Sequence, residues 1–155
     1  MSHHMGYLLR AGLGGMAVAL VLSCKNVDEP LAPAAIDGDW RYTETLDDQL
    51  DQLTCADTGT YTFEQSGSKF TGHYTQTGIC HNGSTKFVNA GVGQVTDGAV
   101  TDVHVQFTAG AICTYGGRLS AAHDAVSAGT GICDYVDSAT SHHYSVQVKW
   151  EMSRP

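Results

Sequence analysis

Thiols, imidazoles and carboxylates carry most protein chemistry, and this 155-residue chain has 5 Cys, 8 His and 16 Asp or Glu. Two imidazoles on one strand share a metal when they stand at i, i+2, because only then do both rings leave the same face. His73, His81, His104, His123, His142 and His143 never show that spacing. His142 and His143 are adjacent and would leave opposite faces. No Cys-x-x-Cys pair occurs and no His stands at ligand spacing from a Cys, so a zinc site is not expected. The acidic run Asp47-Asp48-x-x-Asp51 lacks the alternating oxygen ligands and the glycine of a calcium loop. Gly91-Val92-Gly93 and Gly116-Gly117 are not followed by a helical pattern, so they are not phosphate loops. A hydrolase needs a nucleophile, a base and an orienting group together, and no Gly-x-Ser-x-Gly elbow is present. The expectation is a chain with no catalytic, cofactor-binding or metal-binding set, and not an enzyme.

The cysteines divide into one and four. Met1 to Arg10 is short and carries one Arg; Ala11 to Leu22 is apolar or Gly, right for a signal sequence and too short for a stable membrane span. Val21-Leu22-Ser23-Cys24 then resembles a bacterial lipobox, with Leu22 a departure from the usual small or β-branched residue. The resemblance implies a leader over residues 1–23 and lipid attachment at Cys24, with acyl chains holding the protein to a membrane. The other readings are an ordinary secretory leader or an uncleaved anchor. Export places Cys55, Cys80, Cys113 and Cys133 in an oxidising compartment, where an even count reads as two disulfides with three connectivities. The expected location is the cell envelope, on the periplasmic or extracellular face.

Those cysteines need elements to position them. Lys25 to Ile36 contains Pro30 and Pro33 and no apolar period, so residues 24–36 read as a lipidated N-terminus and tether. From residue 37 to 155 the chain falls into eight strand-like runs, 39–45, 58–65, 69–76, 87–96, 99–108, 112–121, 125–135 and 143–153. Ser66-Gly67, Asp97-Gly98 and Asp137-Ser138 are the clearest breaks. A two-residue turn at Asp97-Gly98 pairs Val92 with Val103, Ala90 with Val105 and Val88 with Phe107 on one apolar face. It also sets His104 opposite Gly91. Cys113 and Cys133 are symmetric about His123, and Cys55 and Cys80 about Gly67-Ser68, so hairpins there give Cys55–Cys80 and Cys113–Cys133. Tyr144, Val146, Val148, Trp150 and Met152 alternate with polar residues as an amphipathic last strand. The fold class is all-β, an eight-stranded antiparallel up-and-down meander closed into a barrel, which leaves no exposed edges.

Gly38-Asp39-Trp40 at the first strand and Arg154 after the last resemble the lipocalins and their calycin relatives. In those proteins a Gly-x-Trp opens strand one, and an Arg after the last strand packs over that Trp. The resemblance implies a lipocalin-like barrel with Trp40 and Arg154 closing one end; the plain alternative is a core Trp and an exposed terminal charge. With only two Trp, biotin binding of the avidin kind is not expected. The long first loop, with Leu46, Leu50 and Leu53, reads either as an amphipathic helical lid or as a solvated acidic loop. The functional expectation is a lipid-anchored barrel that holds a small apolar molecule, with Tyr144, Val146, Val148 and Trp150 lining the pocket. The alternative is a protein-binding or structural envelope lipoprotein, protease inhibitors included. A net charge of −8 disfavours nucleic acid as a partner.

Overall fold

Thr, Val, Tyr and Phe recur through residues 38–153 in alternation with polar side chains, and such residues fit a pleated surface buried on one face. The computed structural model describes residues 34–49, 52–110, 112–136 and 141–155. Eight strands follow one another: β1 (Gly38–Asp48), β2 (Leu53–Ser66), β3 (Lys69–Asn82), β4 (Thr85–Thr101), β5 (His104–Ala109), β6 (Cys113–Leu119), β7 (Ala125–Val136) and β8 (His143–Ser153). Each pairs antiparallel with its neighbour in sequence, and β8 returns to β1, so the meander is a closed barrel. The leader, Cys24 and residues 25–33 of the expected tether lie outside the described residues. Ala34 and Ile36 are buried, so packing begins before Asp37.

Turn chemistry sets the registers. Two-residue connections favour a first residue with positive φ, because the primed turns match the strand twist. Gly67 (φ 62°) begins the β2–β3 turn, Gly83 (φ 57°) the β3–β4 turn and Asp102 (φ 49°) the β4–β5 turn. The β2–β3 register puts Cys55 opposite Cys80, and the β6–β7 register puts Cys113 opposite Cys133; both pairs are disulfide-bonded.

The Asp97-Gly98 turn expected from the sequence is not a turn. β4 runs through it to Thr101, and residues 97 and 98 together oppose a single β5 residue as a β-bulge. Asp97 has φ 54° there, the same left-handed backbone that a turn would use, so an Asp-Gly pair serves either role. The consequence is large. Val105 pairs with Val100 rather than Ala90, and His104 faces Thr101 rather than Gly91. The predicted partners Val103 and Phe107 are likewise released from Val92 and Val88. Val88 (71% exposed) and Val92 (80% exposed) lie on the outside of the barrel. The β4–β5 ladder covers only Val95–Thr101 of β4, and Gln94 O accepts from Gly110 N just beyond it, so the stretch from Thr85 to Gly93 pairs with β3 alone. Residues 46–48 and 53–57 also differ from expectation. They are strand, not lid or loop, because Leu46 continues the inward alternation of Trp40 and Tyr42 and pairs with Cys55. Leu50, Asp51 and the Asp137-Ser138 break lie outside the described residues.

A second bulge in β7, between Val126 and Gly129, has Ala128 at φ 54°. Inside, large side chains meet glycines directly across the ladder. Tyr42 lies over Gly59, Phe70 over Gly98, Tyr74 over Gly93 and Trp150 over Gly129. A methyl group at Gly129 would stand 2.5 Å from the Trp150 ring.

The bulge register makes a direct prediction. Val92→Thr should change stability by less than about 0.5 kcal/mol, as an exposed substitution does. Val95→Ala, at a fully buried site three residues on, should cost about 2 kcal/mol or more. Urea denaturation of the two variants checks this; the reverse order would restore the Asp97-Gly98 turn.

Candidate ligand-binding site

The up-and-down order sends alternate turns to opposite ends. One end gathers the N-terminal segment, the 67–68, 102–103 and 120–124 turns, and Arg154. It is sealed. The Arg154 guanidinium lies 4.5 Å from the Trp40 ring centroid and donates to the carbonyls of Asp37 and Ala35. Trp40 Nε1 donates to Ile36 O at 2.7 Å. Backbone bonds from Val100 N to Ser68 O, Leu119 N to Val103 O and Arg154 N to Asp124 O lace the turns together. Above this floor the interior is aromatic: Phe63 meets Phe70 at 4.9 Å, and Phe107 stands 5.2 Å from Tyr61, 5.1 Å from Tyr115 and 5.6 Å from Trp150.

Toward the other end the aromatic filling gives way to an internal cavity of about 340 Å³. Its polar wall is built from Tyr42, Glu44, Asp57, Gln76, Asn89 and Tyr115, with Tyr61, Tyr74 and Tyr135 beside them. Leu46, Leu53, Phe87 and Ile112 and both disulfides supply its apolar part. A trough of about 780 Å³ also exists, lined chiefly by the exposed side chains of the β5–β8 and β1 wall such as Gln106, Thr114, Gln147 and Lys149; it is outer surface.

Two carboxylates sit inside the cavity wall. Glu44 is 8% exposed and Asp57 4%. Tyr115 OH donates to Glu44 Oε2 at 2.6 Å. Gln76 Nε2 and Asn89 Nδ2 donate to Asp57 Oδ2 at 2.9 and 3.0 Å. Asp57 Oδ1 is buried and has no hydrogen-bond partner among the described residues. Gly78 stands opposite Asp57, and a side chain there would collide with this oxygen. Burial holds the Glu44 carboxyl above its ordinary range; the Tyr115 hydroxyl opposes the shift and the Asp57 charge adds to it. Burial likewise raises the phenols of Tyr42 and Tyr115, with the Glu44 charge contributing to both. Asp57 lies within 4.8 Å of the Cys55 and Cys80 sulfurs, but the disulfide leaves no thiolate to join it in a metal site.

The four residues expected to line a pocket stand on β8, away from this cavity. Val146, Val148 and Trp150 are buried in core packing, and Trp150 Nε1 donates to Thr130 O at 3.1 Å. Tyr144 stacks on Tyr135 at 5.5 Å. None of the four borders the 340 Å³ cavity. Glu44, Asp57, Gln76 and Asn89 were missed. Their signal was parity: Glu44 falls between Tyr42 and Leu46 on the inward register, and Asp57 continues Tyr61 and Phe63.

The sequence finds no match among known protein families, curated proteins or solved structures. The closed eight-stranded meander with Arg154 over Trp40 is compatible with a lipocalin-like fold. The two disulfides are consistent with an oxidising, non-cytoplasmic location.

Glu44 makes stability depend on pH in a fixed direction. A carboxyl whose folded pKa is raised binds its proton more tightly in the folded chain than in the unfolded one. Its stabilisation is present in full below the unfolded value and is lost as pH rises through the folded one. Thermal melts of wild type and Glu44→Gln from about pH 4 to about pH 8 isolate the contribution. The wild type should lose stability relative to the variant as pH rises; a constant difference would contradict the buried-carboxyl assignment.

Proposed function

We propose that this chain is an exported lipoprotein, anchored through acylated Cys24, whose barrel holds a small molecule in its open half. The observation that carries the reading is the 340 Å³ cavity, which combines an apolar part with a few convergent polar groups. That size and mixture suit a small-molecule site, where apolar contact supplies affinity and placed polar groups fix orientation. The ligand has an apolar body against Leu46, Leu53, Phe87 and Ile112 and a polar group toward Glu44 and Asp57. The sealed Trp40–Arg154 end supports entry from the opposite side. The lipobox-like Val21-Leu22-Ser23-Cys24 and the two disulfides support the envelope location.

A second reading, a protein-binding envelope lipoprotein, is favoured by β4. Val88 and Val92 are exposed on a stretch that the β4–β5 ladder does not cover, and such an edge can accept another strand.

One experiment addresses anchor and cavity together. Ala109 borders the cavity, so Ala109→Phe fills it, at about 1–3 kcal/mol of overpacking. Titration with a solvatochromic apolar dye should show binding to wild type and none to Ala109→Phe that still folds. Metabolic labelling with a fatty-acid probe in the same strains should mark both proteins and miss Cys24→Ala. Dye binding unaffected by the Phe would move the ligand out of the lumen, and labelling of Cys24→Ala would remove the anchor.

A further inference from the structure

The charge inside the cavity is one-sided. Among the described residues that line it there are two carboxylates, Glu44 and Asp57, and no Lys, Arg or His. Buried charges are ordinarily paired, because an isolated ion in a low-dielectric interior is costly. Here the pairing is incomplete. Asp57 Oδ2 takes both amide donors, from Gln76 and Asn89, while Oδ1 lies against Gly78 with no donor among the described residues. Glu44 receives one hydroxyl. The described residues supply neutral donors to one oxygen of each carboxylate and no cation to either.

We propose that the missing cation belongs to the ligand, and that the lumen binds a protonated primary amine with a small apolar body. This rests on the small-molecule reading above and names its ligand class. An ammonium brings three N–H donors for carboxylate oxygens, which a quaternary cation lacks. Tyr42, Tyr61, Tyr74, Tyr115 and Tyr135 surround the same space, and aromatic rings attract a desolvated cation. Leu46, Leu53, Phe87 and Ile112 receive the apolar body. A calcium ion would demand six or more oxygen ligands, whereas much of this wall is ring and aliphatic surface. The net charge of −8 also draws cations toward the barrel.

Three probes of one shape separate the terms: phenethylamine, phenethyl alcohol and 3-phenylpropionate, titrated into the purified chain by calorimetry. The amine should bind at least about tenfold more tightly than the alcohol, and the acid should bind most weakly. Asp57→Asn and Glu44→Gln should each weaken the amine by about tenfold and leave the alcohol within about twofold, with thermal melts confirming the fold. Equal affinity for amine and alcohol would overturn the cation assignment and leave the small-molecule reading standing. No binding of any probe would overturn both. If a variant fails to fold, the wild-type ranking of the three probes still decides.

Discussion

A small barrel has a fixed interior, so where a ring lies across the neighbouring strand that strand must be bare beneath it. That constraint is met here by aromatic side chains lying over glycines on the adjacent strand: Tyr42 on Gly59, Phe70 on Gly98, Tyr74 on Gly93 and Trp150 on Gly129. Each pair requires the backbone of one strand to be bare where the ring of the next crosses it. Registers, bulges and the division of the lumen follow. The 97–98 bulge contains Gly98 and the 127–128 bulge immediately precedes Gly129, and the two glycines stand opposite Phe70 and Trp150.

The same device places polar groups in the open half. Gly78 makes room for Asp57 as Gly93 makes room for Tyr74. Toward the sealed end, Phe63, Phe70, Phe107 and Trp150 fill the space and Arg154 covers Trp40. Toward the other end the inward positions hold Glu44, Asp57, Gln76 and Asn89, and space remains among them. The two disulfides pin β2 to β3 and β6 to β7 on either side of that space, and such cross-links stabilise largely by restricting the unfolded chain. A barrel built this way keeps a preformed polar chamber that a uniformly apolar core would collapse.

Much of this was legible in the chain. Alternation announced β8, the Gly67-Ser68 symmetry paired Cys55 with Cys80, and Gly-x-Trp with Arg154 pointed to the sealed end. What misled was local ambiguity. Asp97-Gly98 suits a turn and a bulge equally, and the choice depended on how far β3 and β4 run together, which is a tertiary matter. Leu46 and Leu53 have helical spacing as well as inward strand parity. The cavity was illegible for a related reason: the amphipathic β8 draws attention to the apolar wall, whereas the polar side of the open space is built by β1 to β4, where Glu44, Asp57, Gln76 and Asn89 take inward positions.

The dependence of ring on glycine can be measured directly by a double-mutant cycle at Gly129 and Trp150. Gly129→Ala should cost about 1–3 kcal/mol in the wild type and much less in a Trp150→Leu background, because the smaller side chain gives the methyl room. A strong coupling between the two positions is the expected result. Additive effects, with Gly129→Ala equally costly whether or not the ring is present, would contradict the account of how this barrel fills one half and leaves the other open.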